Sequence, residues 1–77
     1  MRIKEETIKI IDTLTIKKAL ATELGCSVQS VYRYVRENNL NGPLTLLAVL
    51  EKIRELTGMS FDQIIDRSDN DKKVFQN

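Results

Sequence analysis

Residues 17–36 read KKALATELGCSVQSVYRYVR, and this stretch decides the fold. Leu20 and Leu24 are four residues apart, so they lie one above the other on a helix. Gly25 follows them, at the position after a helix where a left-handed backbone is easiest for Gly or Asn. Ser27 is a favourable N-cap for the next helical pattern. The stretch therefore predicts two helices joined by a tight turn.

Three residues of this stretch have the spacing of a helix-turn-helix motif. Two helices that cross steeply need a small residue where they touch, and Ala21 supplies it. Gly25 gives the backbone freedom at the turn, and Val31 fills the gap from the second helix. This Ala-x3-Gly-x5-Val spacing is typical of the motif. The alternative is a small helical bundle with an ordinary short turn between two helices.

The rest of the chain also has helical periodicity, interrupted by the few Gly and Pro residues. We expect Thr15 to cap the second helix and Gly58 to end the fourth, and Ser60 with Gln63 predicts a capping box on the fifth. No segment has a convincing strand pattern. The predicted helices are residues 4–12, 16–24, 28–38, 44–57 and 61–66.

These elements predict an all-α protein, a compact five-helix bundle in which helices 2 and 3 form the central helix-turn-helix. We expect residues 1–67 to be the folded domain and residues 68–77 to be a polar, flexible tail. The first helix is expected to bury Ile3, Ile8 and Ile11, with Leu14 continuing that face. The predicted inner face of the fourth helix consists of Leu46, Leu47, Leu50, Ile53 and Leu56.

Composition excludes several classes of function. The chain has 77 residues, no His and one Cys, so it offers neither a His-based catalytic triad nor the usual zinc ligands. We therefore expect no enzymatic activity, no metal and no cofactor. A single Cys forms no internal disulfide, which fits a reducing, cytoplasmic location. No apolar run approaches the roughly 20 residues that span a bilayer, so no membrane partner is expected.

The net charge of +1 is unevenly distributed along the chain. Residues 1–36 have a balance of +3, and residues 37–77 have a balance of −2. Residues 17–36 alone carry four basic side chains against Glu23. Such an asymmetry can place a basic face on one side of a small domain.

The outward face of the third helix has the side chains of a DNA-reading helix. Gln29 can pair with adenine, Val28 can meet a thymine methyl group, and Arg33 can reach guanine or a phosphate. Tyr32 and Arg36 flank these residues and suit phosphates. No acidic residue occurs between Glu23 and Glu37, as expected for a helix that enters the groove of a polyanion. An ordinary solvated face is the alternative.

Lys17 and Lys18 are expected to open the second helix. Backbone N–H groups and the positive end of the helix dipole favour an anion there, whereas cations are unfavourable for the helix itself. A bound phosphate would explain the two lysines. Surface lysines that only keep the protein in solution are the alternative.

With these residues in place, the chain resembles the lambda-repressor and Cro type of helix-turn-helix domain over residues 3–66. The resemblance rests on ALATELGCSVQSVYRYV, in which Ala21, Gly25 and Val31 match the motif, and on LLAVLEKIRELTGMSFDQII, which is similar to the family's fourth and fifth helices. The family usually carries Gln at the position of Lys17.

The resemblance implies a domain that reads the major groove with its third helix, often as a homodimer on a palindromic operator. It implies base contacts from Val28, Gln29 and Arg33. It implies phosphate contacts from Lys17 and from the loop at residues 38–41, including Asn38 and Asn41. The residues implied in support of the base contacts are Ser27, Ser30, Tyr32 and Arg36.

We interpret the chain as a sequence-specific double-stranded DNA-binding protein, a small transcriptional regulator of the phage or mobile-element repressor type. A homodimer is expected, because half-sites about 34 Å apart add affinity and specificity. Two alternatives stay open. One is a protein-interaction module, antitoxin-like or an adaptor, with Val49 and Val74-Phe75 as candidate apolar contacts. The other is a DNA-packaging or recombination accessory subunit. No small-molecule cofactor is expected for any of them.

Overall fold

The computed structural model describes residues 1–67 of the chain. They form five α-helices, one 3-10 turn and a two-stranded ribbon, and the predicted all-α five-helix bundle is confirmed. The elements in chain order are β1 (Arg2–Ile3), α1 (Glu5–Ile11), α2 (Leu14–Leu24), α3 (Val28–Glu37), the 3-10 turn (Pro43–Thr45), α4 (Leu47–Thr57), α5 (Phe61–Ile64) and β2 (Ile65–Asp66).

The helix-turn-helix unit has the predicted turn. Gly25 ends α2 with a φ of 66°, in the left-handed region, and the N–H of Cys26 donates to the carbonyl of Ala21 at 3.0 Å. Ser27 caps α3, because its Oγ accepts a hydrogen bond from the N–H of Ser30 at 3.2 Å. The two helices pack through side chains that are fully or almost fully buried, namely Leu20, Ala21, Val31 and Val35.

The start of α2 differs from the prediction. The helix begins at Leu14, and its cap is Thr13, whose Oγ1 accepts from the N–H of Ile16 at 3.3 Å. Thr15 lies inside the first turn and is exposed, so the prediction that it caps the helix was wrong. Only Asp12 and Thr13 separate α1 from α2, and this sharp break turns Leu14 outward, where it is 51% exposed.

The fourth predicted helix is divided. Residues Pro43–Thr45 form a 3-10 turn, Leu46 is extended, and α4 begins only at Leu47. The break leaves Leu46 outside the helix and makes Leu47 its first residue, and part of the predicted inner face was wrong. Leu46, Leu47 and Leu56 are 55%, 65% and 41% exposed, respectively. The buried positions of this region are Leu44, Val49, Leu50 and Ile53.

The ends of the described region meet in a short ribbon that the sequence pattern did not predict. β1 and β2 pair antiparallel, with Arg2 opposite Asp66 and Ile3 opposite Ile65. Residues 65–66 were predicted to be helical, but α5 stops at Ile64. Two-residue strands are too short to have a recognisable alternation, which is why the pattern missed them. Both isoleucines of the ribbon are buried in the core.

Other predicted end signals are confirmed. Gly58 ends α4 with a φ of 74°, and Ser60 and Gln63 form both hydrogen bonds of the capping box at the start of α5. Within residues 1–67, no helix is long and apolar enough to cross a membrane. The predicted tail at 68–77, with Val74-Phe75, lies outside the described residues.

Candidate nucleic-acid interface

The outer side of α3 presents a continuous stripe of exposed polar and aromatic side chains. Gln29, Tyr32, Arg33 and Arg36 are all exposed. Their spacing of i, i+3, i+4 and i+7 puts them next to one another on one face. The stripe extends over about 10 Å of helix, at a rise of about 1.5 Å per residue. We call these four residues the α3 stripe. Their exposure leaves all four free to approach a partner.

The core holds the α3 stripe in place from behind. Val31 and Val35 lie on the opposite side of α3 and are at most 5% exposed. Tyr34 is half-buried, and the guanidinium carbon of Arg33 lies 5.3 Å from the centre of its ring. A cation over an aromatic ring is attracted to the ring face, which restrains where Arg33 can point. The buried side of α3 therefore holds the helix against the core while its polar side chains face solvent.

The first turn of α3 is less available than predicted. Val28 is half-buried and packs against the core, so only part of this predicted base contact is accessible. Ser27 is exposed, but its Oγ caps the helix. Ser30 is half-buried, and its Oγ lies 3.1 Å from that of Ser27. Ser27 and Ser30 thus stabilise the helix start, beneath the α3 stripe.

Lys17 does not project freely toward solvent, as a phosphate-contacting lysine would. Its side chain is only 7% exposed, and its Nζ forms an ion pair with Oδ1 of Asp12. The same Nζ lies 3.7 Å from the centre of the Tyr32 ring. The structure therefore gives Lys17 partners within the domain, and its predicted phosphate contact is corrected to an internal one. Asp12 could not be identified as a partner from the sequence, because the break between α1 and α2 is what brings it to Lys17.

The start of α2 is not the anion site that the two lysines predicted. Because α2 begins at Leu14, the N–H of Lys17 already donates to the carbonyl of Thr13 at 3.0 Å. Thr13 also satisfies the N–H of Ile16. Lys18 lies one residue further into the helix and is exposed. Its predicted phosphate contact stays a prediction, without the free backbone N–H groups that were expected beside it.

Asn38 has a structural role that the sequence did not reveal. It is 7% exposed and adopts a left-handed backbone with a φ of 44° at the end of α3. Its Oδ1 accepts from the N–H of Ile3 at 3.1 Å, and its Nδ2 donates to the carbonyl of Ile3 at 2.7 Å. The side chain therefore clamps β1 to the end of α3. The side chain is therefore not free for the predicted phosphate contact, because both polar atoms of the amide are paired with Ile3 in a residue that is 7% exposed.

Asn41 is exposed, but two of its polar groups bind Met1. Its Oδ1 accepts from the amino group of Met1 at 2.8 Å, and its N–H donates to the carbonyl of Met1 at 2.6 Å. The predicted phosphate loop at residues 38–41 is thus a docking point for the first residues of the chain. Asn38 fixes one side of it, and Asn41 the other.

A groove of about 510 Å³ lies beside the α3 stripe. Its lining includes Asp12, Lys17, Tyr32 and Arg36. Basic and acidic side chains line it in equal number, so it has no strong preference for an anion or a cation. Within residues 1–67, no group of three or more acidic or Cys side chains is placed to hold a metal ion.

Comparisons with protein-family models, with curated proteins and with solved structures gave no match to this chain. Any statement about function therefore depends on the residues and the geometry described above.

Proposed function

We propose that this protein binds double-stranded DNA and reads the major groove with α3. The α3 stripe is the observation that carries the proposal. It combines an amide that suits adenine, guanidinium groups that suit guanine and phosphate, and a phenol, all exposed on one face of one helix. The major groove is wide enough to admit an α-helix, and the stripe covers about three base pairs.

We assign the roles within the α3 stripe by chemistry. Gln29 and Arg33 read base edges, with the exposed part of Val28 in contact beside them. Tyr32 and Arg36 contact phosphates, together with Lys18 on α2. The absence of acidic residues between Glu23 and Glu37 supports this assignment, because no carboxylate on α3 repels the backbone until the last residue of the helix.

We propose further that the protein is a small transcriptional regulator of the phage or mobile-element type, acting as a homodimer in the cytoplasm. One short helix contacts few base pairs, so a single copy binds weakly. Two copies on half-sites about 34 Å apart combine their contacts. The low net charge of +1 fits this design, because it limits nonspecific attraction to DNA and leaves discrimination to the α3 stripe.

Fluorescence anisotropy with a labelled random-sequence duplex tests whether the protein binds DNA at all. We expect binding at about 50 mM salt that weakens steeply by about 200 mM, because phosphate contacts release counterions. Absence of binding at the lower concentration would refute the proposal. In-vitro selection from a random duplex pool then gives the preferred site, and a two-fold symmetric site supports the dimer.

Single substitutions test the roles within the α3 stripe on the selected site. Gln29→Ala should relax base preference at one position, at a cost of about 1–3 kcal/mol for the preferred base. Arg36→Gln should weaken binding to all sequences alike and lower the slope of log K against log salt by about 1. Arg54→Gln is the matched control, because it removes the same charge from α4, where Arg54 lies over the Phe61 ring. If Arg54→Gln weakens binding as much as Arg36→Gln, the assigned face is wrong.

A protein-interaction module is the second candidate function, favoured by a different observation. Leu46 and Leu47 are more than half exposed, and Ala48 beside them is exposed as well. Val49, the earlier candidate for such a contact, is 1% exposed and belongs to the core. Adjacent exposed leucines favour contact with another protein. Sedimentation analysis of the wild type and of Leu47→Ser distinguishes self-association through this patch from a monomer that leaves it open to another partner.

A further inference from the structure

We propose that Lys17 is a positioning residue for Tyr32 and thereby sets the shape of the DNA-reading face. This inference rests on the proposed DNA binding and deepens it. The lysine at this place was expected to touch DNA, and the structure instead puts its ammonium group between Asp12 and the Tyr32 ring.

The contacts of Lys17 leave little freedom to its side chain. Its Nζ is bound on one side by the carboxylate of Asp12, which is itself 53% exposed, and the Tyr32 ring lies against it at 3.7 Å from the ring centre. Because Lys17 is on α2 and Asp12 precedes that helix, the charge that faces the ring is fixed by the framework of the domain and not by α3. The ammonium is neutralised inside the protein and does not add to the charge that attracts DNA.

The Tyr32 ring connects this internal pair to the α3 stripe. Tyr32 is 45% exposed, so one part of the ring meets Lys17 while the rest faces solvent. It is three residues after Gln29 and four before Arg36, which makes it a neighbour of both. A ring held on a fixed cation cannot swing across the helix face. Lys17 therefore orders Tyr32 in the free protein, so DNA binding has less side-chain conformational entropy of Tyr32 to remove.

The salt dependence of affinity separates this role from a direct phosphate contact. A lysine that binds a phosphate contributes about 1 to the slope of log K against log salt, whereas an internally paired lysine contributes nothing. Lys17→Met alone would leave the Asp12 carboxylate unpaired beside the α3 stripe, so it is combined with Asp12→Asn, which keeps the net charge of the pair at zero. We expect this pair of substitutions, which keeps the lengths of both side chains, to weaken DNA binding about two- to tenfold with an unchanged salt slope. Arg36→Met is the matched control, and its slope should fall by about 1.

A double-mutant cycle asks whether Lys17 acts through Tyr32. The charge-balanced pair Lys17→Met with Asp12→Asn is measured in the wild type and in Tyr32→Ala. We expect the pair to cause no further loss of affinity once the ring is absent, because the lysine then has nothing to position. Equal losses in the two backgrounds, or a lower salt slope for the pair, would overturn the inference.

A measurement on the unmodified protein keeps the inference testable if a variant fails to fold. Protons that lie over an aromatic ring resonate upfield, so the ε-methylene protons of Lys17 should be shifted upfield in a carbon-13 correlation spectrum, both free and bound to DNA. Loss of that shift in the complex means that Lys17 leaves the ring for the DNA, which contradicts the inference. If the wild type binds no duplex at all, the proposed function fails and this inference fails with it. If the wild type binds but the shift is lost, only the inference fails.

Discussion

Replacing Asn38 by Gly should destabilise the domain strongly, because this amide is the buried link between α3 and the terminal ribbon. The substitution keeps the left-handed backbone at φ 44°, which Gly adopts without strain, so it removes only the amide. The N–H and the carbonyl of Ile3 then lose their partners at 3.1 and 2.7 Å. An unsatisfied buried polar group costs about 1–3 kcal/mol, so the expected loss for the two groups is about 2–6 kcal/mol.

The size of this loss makes it easy to measure. A chain of this length has a free energy of unfolding of about 4–12 kcal/mol, at about 0.05–0.15 kcal/mol per residue. The variant should therefore lose a large part of its stability. In urea unfolding followed by far-UV circular dichroism, a denaturant slope of about 1 kcal/mol per molar moves the midpoint down by about 2–6 M.

Asn41 provides the matched control for this prediction. It also has a left-handed backbone, with a φ of 54°, but its side chain is exposed and its backbone hydrogen bond to Met1 survives the substitution. Asn41→Gly should change the free energy of unfolding by less than about 0.5 kcal/mol. Equal urea midpoints for the Asn38 and Asn41 variants would refute the clamp and return Asn38 to the list of candidate DNA contacts.

Three further pairs of substitutions, each compared by urea unfolding, test other features of the fold. Gly25→Ala should lower the free energy of unfolding by about 1–2 kcal/mol. The loss comes from backbone strain alone, because a Cβ there meets no atom within 4 Å. Gly25→Asn should cost less, and equal losses for the two variants would contradict this account of the turn. Thr13→Ala should cost about 1 kcal/mol and Thr15→Ala less than about 0.5 kcal/mol, and the reverse order would restore Thr15 as the cap of α2. Val49→Ala should cost about 2 kcal/mol, whereas Leu47→Ala should cost less than about 0.5 kcal/mol; a larger loss at Leu47 would mean that this leucine is buried.

The helix-turn-helix unit could be predicted from the sequence because its signals are local. Gly25 ends α2 and Ser27 caps α3, each through hydrogen bonds to residues within a few positions. Val31 was predicted to fill the gap between the two helices, and it is fully buried. The exposure of the α3 stripe then follows, since a residue on the face opposite the core has nowhere else to point.

The buried residues of the other helices were predicted less completely, because the start of each helix depends on contacts outside it. Within one helix the rotation of about 100° per residue fixes which residues share a face, so Leu50 and Ile53 are buried as predicted. Leu46, however, is extended and Leu47 is only the first residue of α4, and both are exposed, whereas Val49 is buried. At α2, two capping threonines stand two residues apart, and only the short connection from α1 selects Thr13.

By itself, the sequence determined that this chain is a five-helix bundle with a helix-turn-helix at its centre and a polar stripe along α3. These features depend on periodicity and on caps, which act over one or two turns. Only the tertiary structure decided what the polar residues beside that stripe do. Lys17 meets Tyr32 and Asn38 meets Ile3 across 15 and 35 positions of the chain, respectively. Both side chains are buried, where a hydrogen bond or an ion pair with a protein group is stronger than in water, so these contacts help to fix α3 in place.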